Sequence, residues 1–126
     1  MKLELLPMEF TVCQIKTAQE ADLSVPYTFF ARTDEEISLV CPIAACPPCA
    51  LNRQDGWRCL RIAGPLDFSL VGILAGIAAC LAERRIPIFA VSTFNTDYVL
   101  FRRQYLSAAL DALRAAGYEG DGAAEQ

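Results

Sequence analysis

The loop from Gly64 to Ser69 (GPLDFS) leads straight into a segment with helical periodicity, and its position suits the binding of an anion. The first amides of a helix lack intrahelical acceptors, and the helix dipole adds partial positive charge at that end. The predicted free amides belong to Leu70, Val71 and Gly72, and the glycine lets a ligand approach the backbone without a side chain in the way. We therefore expect a carboxylate to bind at this helix start.

A second polar segment, Ser92 to Tyr98 (STFNTDY), follows the next predicted strand. Asp97, like Asp67 in the first loop, can accept hydrogen bonds from an ammonium or guanidinium group. Thr93 and Asn95 can hydrogen-bond a ligand from the same turn. An anion site beside two acids suits a zwitterion, so the two loops together predict a crevice for a small zwitterionic ligand.

Three further residues extend this candidate site. Phe94 can cover the pocket, and Ser38 and Leu39 lie on a predicted strand that can offer backbone groups to the same crevice. The candidate ligand-binding residues are therefore Ser38, Leu39, Asp67, Phe68, Ser69, Leu70, Val71, Gly72, Thr93, Phe94, Asn95 and Asp97.

A plainer interpretation of the same residues stays open. Asp67 and Ser69 can act only as caps of the helix, because each offers an oxygen to otherwise unpaired amides. Asn95 and Asp97 can act only to hold a hairpin turn. The strand through Ser38 can likewise be an ordinary hairpin strand. The residues alone do not decide between a ligand site and these structural roles.

Cysteine supplies the other candidate chemistry, since Cys46-Pro-Pro-Cys49 is a Cys-x-x-Cys pair with Cys41 nearby. Such a pair can chelate zinc or take part in thiol exchange. Zinc would need a further ligand from a Cys or an acid, and the prolines indicate a loop rather than a strand-to-helix junction. A plain loop with thiols is favoured, with no metal ligand and no cofactor. The other cysteines are interpreted as small core residues: Cys13, Cys59 and Cys80.

Histidine is absent, which removes the usual general base at neutral pH, and we predict that the chain is not an enzyme. The net charge is −4 and the basic residues are scattered, which argues against nucleic-acid binding. No apolar run approaches the roughly 18 residues of a membrane span. Glu4 and Glu9 would interrupt a signal-peptide core, so we expect no membrane association and a cytoplasmic location.

The elements that must position these residues are clearest in the second half of the chain. The hydrophobic pattern predicts, in order, a strand at Trp57–Ala63, a helix with its apolar stripe from Leu70 to Leu81, strands at Ile86–Val91 and Tyr98–Phe101, and a helix from about Leu106 to Gly117. Little after Tyr118 could pair in a sheet. Residues 56–118 are therefore predicted as a βαββα domain without a last strand, followed by a flexible tail at 119–126.

Residues 1–55 are predicted as a β-rich half-lobe. Its strands are expected at Phe10–Ile15, Tyr27–Arg32 and Ile37–Cys41. A Cys- and Pro-rich loop follows at 42–55 and closes with an Asp55-Gly56 turn. No internal repeat is visible. Because an unpaired edge in so apolar a chain would aggregate, the N-terminal strands are expected to supply the missing edge and to share the sheet of the second domain.

Two segments, YTFFARTDEEISLVC and GPLDFSLVGILAGIAACLAERRIPIFAVSTFNTDYVLF, resemble the ACT domain, a βαββαβ regulatory module of amino-acid metabolism. The likeness spans roughly residues 27–117, and STFNTDY is its most specific part. The resemblance implies a ferredoxin-like fold, an amino-acid ligand, and a site commonly formed between two ACT units, hence a homo-oligomer such as a dimer. The insertion CPIAACPPCA and the missing last strand depart from the family pattern.

These observations predict an α+β protein with a ferredoxin-like, ACT-like unit and an N-terminal β-rich half-lobe that shares its sheet. Its expected function is to bind a small molecule, an amino acid, and to act through ligand-dependent assembly or contact with a partner. Two alternatives stay open, namely a structural or interaction module without a ligand, and a cysteine-based metal or redox protein.

Overall fold

The computed structural model describes residues 2–64 and 72–121, and within them the chain is an α+β protein with two α-helices and a mixed sheet. The elements in chain order are β1 (Lys2–Leu5), β2 (Phe10–Ile15), β3 (Phe29–Arg32), β4 (Ile37–Pro42), β5 (Asn52–Ile62), α1 (Ile73–Glu83), β6 (Ile88–Ser92), β7 (Asp97–Arg102), α2 (Leu106–Ala115) and β8 (Glu119–Asp121). In the part of the chain that is described, no helix is long and apolar enough to cross a membrane.

The chain forms two compact units, which we call the C-terminal unit (Met1–Pro7 with Arg58–Gln126) and the N-terminal unit (Met8–Trp57). The boundary falls within β5, whose first part pairs with β2 and whose second part pairs with β1. The sequence placed residues 1–7 in the N-terminal half-lobe, whereas the structure groups them with the second half of the chain. Local periodicity could not show this, because it does not reveal which distant strand a short strand will pair with.

The sheet of the C-terminal unit contains the strand that the sequence did not predict. Residues 119–121, expected in a flexible tail, form β8, which pairs in parallel with β1 (Leu3 opposite Gly120). Strand β1 pairs on its other edge, antiparallel, with β5, so the order is β8-β1-β5-β7-β6. The three-residue strand is too short and too polar to be recognised alone, and it is held by its neighbour β1.

Both helices pack on this sheet through the apolar stripes that the sequence predicted. Ile77 and Leu81 of α1 and the buried face of α2 join one core with residues from β1, β5 and β7. The buried members of this core are Leu3, Leu5, Leu60, Ile62, Ile77, Leu81, Ile86, Val99, Phe101, Ala109, Leu110, Ala112 and Leu113. The core therefore holds β5 and β7 in place. Strand β5 precedes the first candidate ligand loop, and β7 follows the second.

The N-terminal unit is a sheet of order β3-β4-β2-β5 with short 3-10 turns instead of α-helices. The 3-10 turns cover Ala18–Glu20 and Ile43–Ala45. The sequence predicted β2, β3 and β4 within two residues at each end, and the antiparallel pairing of β2 with β4 aligns Ile15 with Ile37 and Cys13 with Leu39. A small core lies within this unit, made of Cys13, Ile15, Leu39 and Cys41.

The predicted turn at Asp55-Gly56 is instead a β-bulge inside β5. Phe10 lies opposite Trp57 and Val12 lies opposite Gln54, so β5 accommodates one residue more than β2 over the same span. Gly56 has a φ of 86°, the left-handed conformation that glycine adopts without steric cost. The Asp-Gly pair was predicted as a turn that closes a loop, whereas in the structure its glycine lies in the bulge of a paired strand. Residues 52–55 consequently belong to β5.

The two hairpins of the chain are built alike, although the sequence showed no repeat. Thr33 and Thr93 each begin a four-residue turn, and each donates its N–H to the carbonyl of the fourth residue, at 2.9 Å in the first turn and 2.8 Å in the second. Each hairpin is followed directly by a 3-10 turn, at Ile43–Ala45 and at Arg103–Tyr105. The shared residues are too few for sequence periodicity to reveal this likeness.

Candidate functional site

The turn between β6 and β7 is closed by the side chain of its first residue. The Thr93 hydroxyl donates to the Thr96 carbonyl at 3.0 Å and accepts from the Thr96 N–H at 3.4 Å. Ser92 and Asp97 pair as the last residues of the two strands. The Thr93 hydroxyl therefore closes the turn, and its predicted hydrogen bond to a ligand stays a prediction.

Thr96 fixes the position of this turn on the sheet. Its side chain is 7% exposed, and its hydroxyl donates to the Ile62 carbonyl at 2.6 Å. Ile62 is the last residue of β5, two residues before Gly64. The hydrogen bond therefore brings the Thr93–Asp97 turn to the end of β5 from which the first candidate loop leaves. Sequence analysis did not identify Thr96, and the only signal for it was a second threonine in STFNTDY.

The other residues of the turn differ in their exposure. Asn95 is exposed and Asp97 is half-buried at the start of β7. The Phe94 ring is 81% exposed at the tip of the turn, which is unusual for a large apolar side chain. Asp97 thus provides a carboxylate at the base of the turn, and Phe94 provides an exposed aromatic ring at its tip.

The first candidate loop lies almost entirely outside the described residues. Five predicted site residues fall in that part, namely Asp67, Phe68, Ser69, Leu70 and Val71. The description resumes at Gly72, the N-cap of α1, with a φ of 80°, and Gly76 donates the first helical hydrogen bond to its carbonyl at 2.8 Å. Helix α1 starts at Ile73, later than predicted. The amides that helix geometry leaves without an intrahelical acceptor are therefore those of residues 73–75.

Ser38 and Leu39 lie on β4 in the N-terminal unit, not in the unit that contains the Thr93–Asp97 turn. Leu39 is 1% exposed and its side chain belongs to the core of its own unit. Strand β4 pairs with β2 on one edge and β3 on the other, which engages the backbone on both sides. The Ser38 hydroxyl donates to the Glu36 carboxylate at 2.6 Å. Their contribution to a ligand site stays a prediction.

The Cys-x-x-Cys loop holds free thiols in two different settings. The exposed Cys49 thiol donates to the Glu20 carboxylate at 2.9 Å, which raises the pKa of Cys49 and lowers that of Glu20. Burial raises the pKa of Cys41 to about 11. Among the described residues, no group of three or more His, Cys, Asp and Glu side chains is arranged to hold a metal ion.

Residues 52–115 match a protein-family model described as the ACT domain. The crystal structure of protein Atu0741 from Agobacterium tumefaciens is similar over 95% of this chain and 91% of its own, with 31% sequence identity and a TM-score of 0.84. Aspartokinase alpha and beta subunits share the fold over 92% of this chain and 97% of theirs, with 17% identity and a TM-score of 0.65.

Among curated proteins, the rat "Cytosolic arginine sensor for mTORC1 subunit 1" is 41% identical to this chain over 59 residues. The human protein of the same name is 39% identical over 59 residues. The match covers 46% of this chain but 18% of the rat sensor. The family model, the likeness to Atu0741 and the β8-β1-β5-β7-β6 sheet covered by two helices lead to one conclusion: the chain belongs to the ACT domain family of regulatory, small-molecule-binding modules.

Proposed function

We propose that this protein is a non-enzymatic sensor that binds a free amino acid beside the turn between β6 and β7. The observation that carries the proposal is the hydrogen bond from Thr96 to the Ile62 carbonyl, since it holds the turn against the end of β5. The turn supplies the half-buried Asp97 carboxylate and the exposed Phe94 ring, and β5 leads from this end of the sheet towards α1, which supports a shared site.

The chemistry of these groups favours a zwitterion. The first amides of α1, with the positive end of the helix dipole, suit the ligand carboxylate. Asp97 suits its ammonium group or a cationic side chain. Arginine is the first ligand to test, because the rat and human relatives are named as arginine sensors. Their names also call them cytosolic, and the proposal includes a cytosolic location for this chain.

The proposed mechanism is a shift in population between assembly states. A ligand can favour one arrangement only through a difference in its affinity for the two arrangements. We propose that the chain is a homo-oligomer, such as a dimer, or contacts a protein partner, and that the bound amino acid changes that assembly. Light scattering with and without ligand measures this directly, and an unchanged particle mass under saturating ligand would contradict it.

A thermal-shift screen of the twenty amino acids tests ligand binding. A ligand present at 100 times its Kd stabilises a folded protein by about 2.7 kcal/mol, so a true ligand at millimolar concentration should raise Tm clearly. If none of the twenty raises Tm, the chain does not bind a free amino acid and the proposal fails.

Asp97→Ala locates the site. We expect this variant to keep the fold, as seen by circular dichroism, and to lose the ligand-dependent rise in Tm. Asp111→Ala is the matched control, because the Asp111 carboxylate is 64% exposed on α2, a helix that carries none of the candidate ligand residues. If Asp97→Ala binds normally, the site is elsewhere. If it unfolds, Asp97 serves the turn rather than a ligand.

A further inference from the structure

Cys13 is far from Cys41 and Cys46 in the sequence, yet the three cysteines meet in one cluster of the N-terminal unit. Cys13 lies on β2 and Cys41 on the neighbouring strand β4, and both are buried, at 3% and 0% exposure. Cys46 follows the Ile43–Ala45 turn and packs against this pair. All three are free thiols. None of the ligand-binding roles proposed above uses them.

Cys46 is the accessible member of this group. It is half-buried and packs against the core cluster that contains Cys13 and Cys41, and its thiol donates a hydrogen bond to the Pro47 carbonyl at 3.6 Å. A disulfide requires two cysteines packed side by side, as the members of one such cluster are.

The environment distinguishes Cys46 from the other cysteines. An open cleft of about 430 Å³ reaches Cys46 and is bordered by Glu20, Asp22 and the prolines that flank it. A small oxidant can therefore reach Cys46, whereas Cys13 lies beneath it in the core. Cys49, three residues further along, is occupied by its hydrogen bond to Glu20 at 2.9 Å.

We propose that Cys13 and Cys46 form a reversible disulfide when the protein meets a hydroperoxide. The Cys46 thiolate attacks the peroxide, the O–O bond breaks, and Cys46 becomes a sulfenic acid as water or an alcohol leaves. The Cys13 sulfur then attacks the Cys46 sulfur, the S–O bond breaks, and the hydroxyl leaves as water with the Cys13 proton. Both cysteines are oxidised by one electron each, and the peroxide takes up both electrons.

Burial and the neighbouring Cys46 raise the pKa of Cys13 to about 12. Cys13 therefore stays protonated at neutral pH and is a poor first nucleophile, which makes Cys46 the group that reacts with peroxide. The same property predicts that the second step is the slower one and that it quickens as pH rises.

The disulfide would tie the Cys- and Pro-rich segment to β2. It would fix one wall of the cleft beside Glu20 and Asp22, and it would close a covalent loop between residues 13 and 46. A cross-link of this kind restricts the unfolded chain, so the oxidised protein should melt several degrees above the reduced one.

Peptide mapping of the full chain tests the proposal. The reduced protein is treated with hydrogen peroxide, its remaining thiols are alkylated, and trypsin then cuts after Lys16, Arg32 and Arg53. We expect the peptide ending at Lys16 to be linked to the peptide beginning at Thr33, two hydrogen masses lighter than their sum. Fragment ions from cleavage before Pro42 separate Cys46 from Cys41, and those from cleavage before Pro47 separate it from Cys49. Dithiothreitol should reverse the link.

Matched variants complete the experiment. Cys46→Ser should abolish the link, and Cys49→Ser, three residues away, should retain it, with unchanged circular dichroism in both. Three results would each overturn the proposal. The first is a disulfide from Cys46 to Cys49 or to Cys41, and the second is a disulfide between two chains, seen on a non-reducing gel. The third is full alkylation of both Cys13 and Cys46 after excess peroxide.

Discussion

At the scale of single residues, Thr96 decides where the candidate ligand turn lies. It is nearly buried, and its hydroxyl satisfies a backbone carbonyl on a different strand rather than serving its own turn. Thr93, the first residue of the same turn, instead uses its hydroxyl to close the turn. Two threonines in one motif therefore have different roles, and only the fold separates them.

Thr96→Val should destabilise the protein by about 1–3 kcal/mol, because it leaves the Ile62 carbonyl without its hydrogen-bond donor in a buried setting. Urea unfolding measures this. Thr96→Ser keeps the hydroxyl and is the matched control, with an expected smaller loss. A larger loss in Thr96→Ser than in Thr96→Val would show that packing of the methyl group, not the hydrogen bond, stabilises the turn.

The buried Cys59 thiol makes the free energy of unfolding fall at alkaline pH. Complete burial raises the pKa of its thiol from 9.0 to about 12. Between these values the unfolded chain releases the proton and the folded chain keeps it, so stability falls as pH rises from about 9 to about 12, by about 1.4 kcal/mol per pH unit for each such thiol. Urea unfolding at about pH 8 and about pH 10 should show this fall. The Cys59→Ala variant should lose less stability between these two pH values. If it loses as much as the unmodified protein, Cys59 is not the source of the fall.

At the scale of elements, the two helices end with the same motif but with different residues. After α1, the backbone N–H of Arg85 donates to the Ala82 carbonyl at 2.9 Å, and that of Ile86 donates to the Leu81 carbonyl at 3.1 Å. After α2, Gly117 donates to Arg114 and Tyr118 to Leu113, both at 3.0 Å. The residue at the turning point has positive φ in each case, 57° for Arg85 and 95° for Gly117. The sequence identified only Gly117 as a helix end, because glycine signals this conformation and arginine does not.

Reciprocal substitutions test this motif. Gly117→Ala should cost about 1 kcal/mol, since left-handed backbone is strained for a residue with a Cβ, while the space around Gly117 is open and adds no clash. Arg85→Gly should relieve the same strain and stabilise the protein by about 0.5–1 kcal/mol, less the entropy that glycine adds to the unfolded chain. Changes of the same sign in urea unfolding would contradict the shared motif.

At the scale of the whole molecule, the first strand belongs with the second half of the chain. Strand β1 lies between β5 and β8, and Leu3 and Leu5 enter the core beneath both helices. Cross-strand charge pairing supports this register, with the Arg61 guanidinium 2.8 Å from the Glu4 carboxylate. The ACT fold is therefore completed by the beginning of the chain.

Leu3→Ala should destabilise the C-terminal unit by about 2–5 kcal/mol, because it opens a cavity in a core where Leu3 is 3% exposed. Leu23→Ala is the matched control, since Leu23 is 62% exposed and should change stability by less than about 0.5 kcal/mol. Urea unfolding of both variants decides the matter. Equal, small effects would mean that β1 contributes little to the unit.

Local patterns in the sequence were sufficient to predict the class of the fold and most of its elements. The apolar stripes of α1 and α2, the hairpins and the helix end at Gly117 all depend on residues a few positions apart, whose periodicity is set by helix and strand geometry. The STFNTDY resemblance identified the family, and the residue-by-residue ligand site that it implied remains a prediction.

Only the tertiary structure decided which distant residues meet. Three features each join positions far apart in the chain: the Thr96 hydrogen bond to Ile62, the place of β1 between β5 and β8, and the packing of Cys46 against the cluster that contains Cys13. Local propensity contains no term for such pairs, since their free energy arises from burial and hydrogen bonding that exist only once the sheet has formed. The attachment of the Thr93–Asp97 turn to β5, the last strand and the meeting of Cys13 with Cys46 in one cluster were therefore not predicted from the sequence.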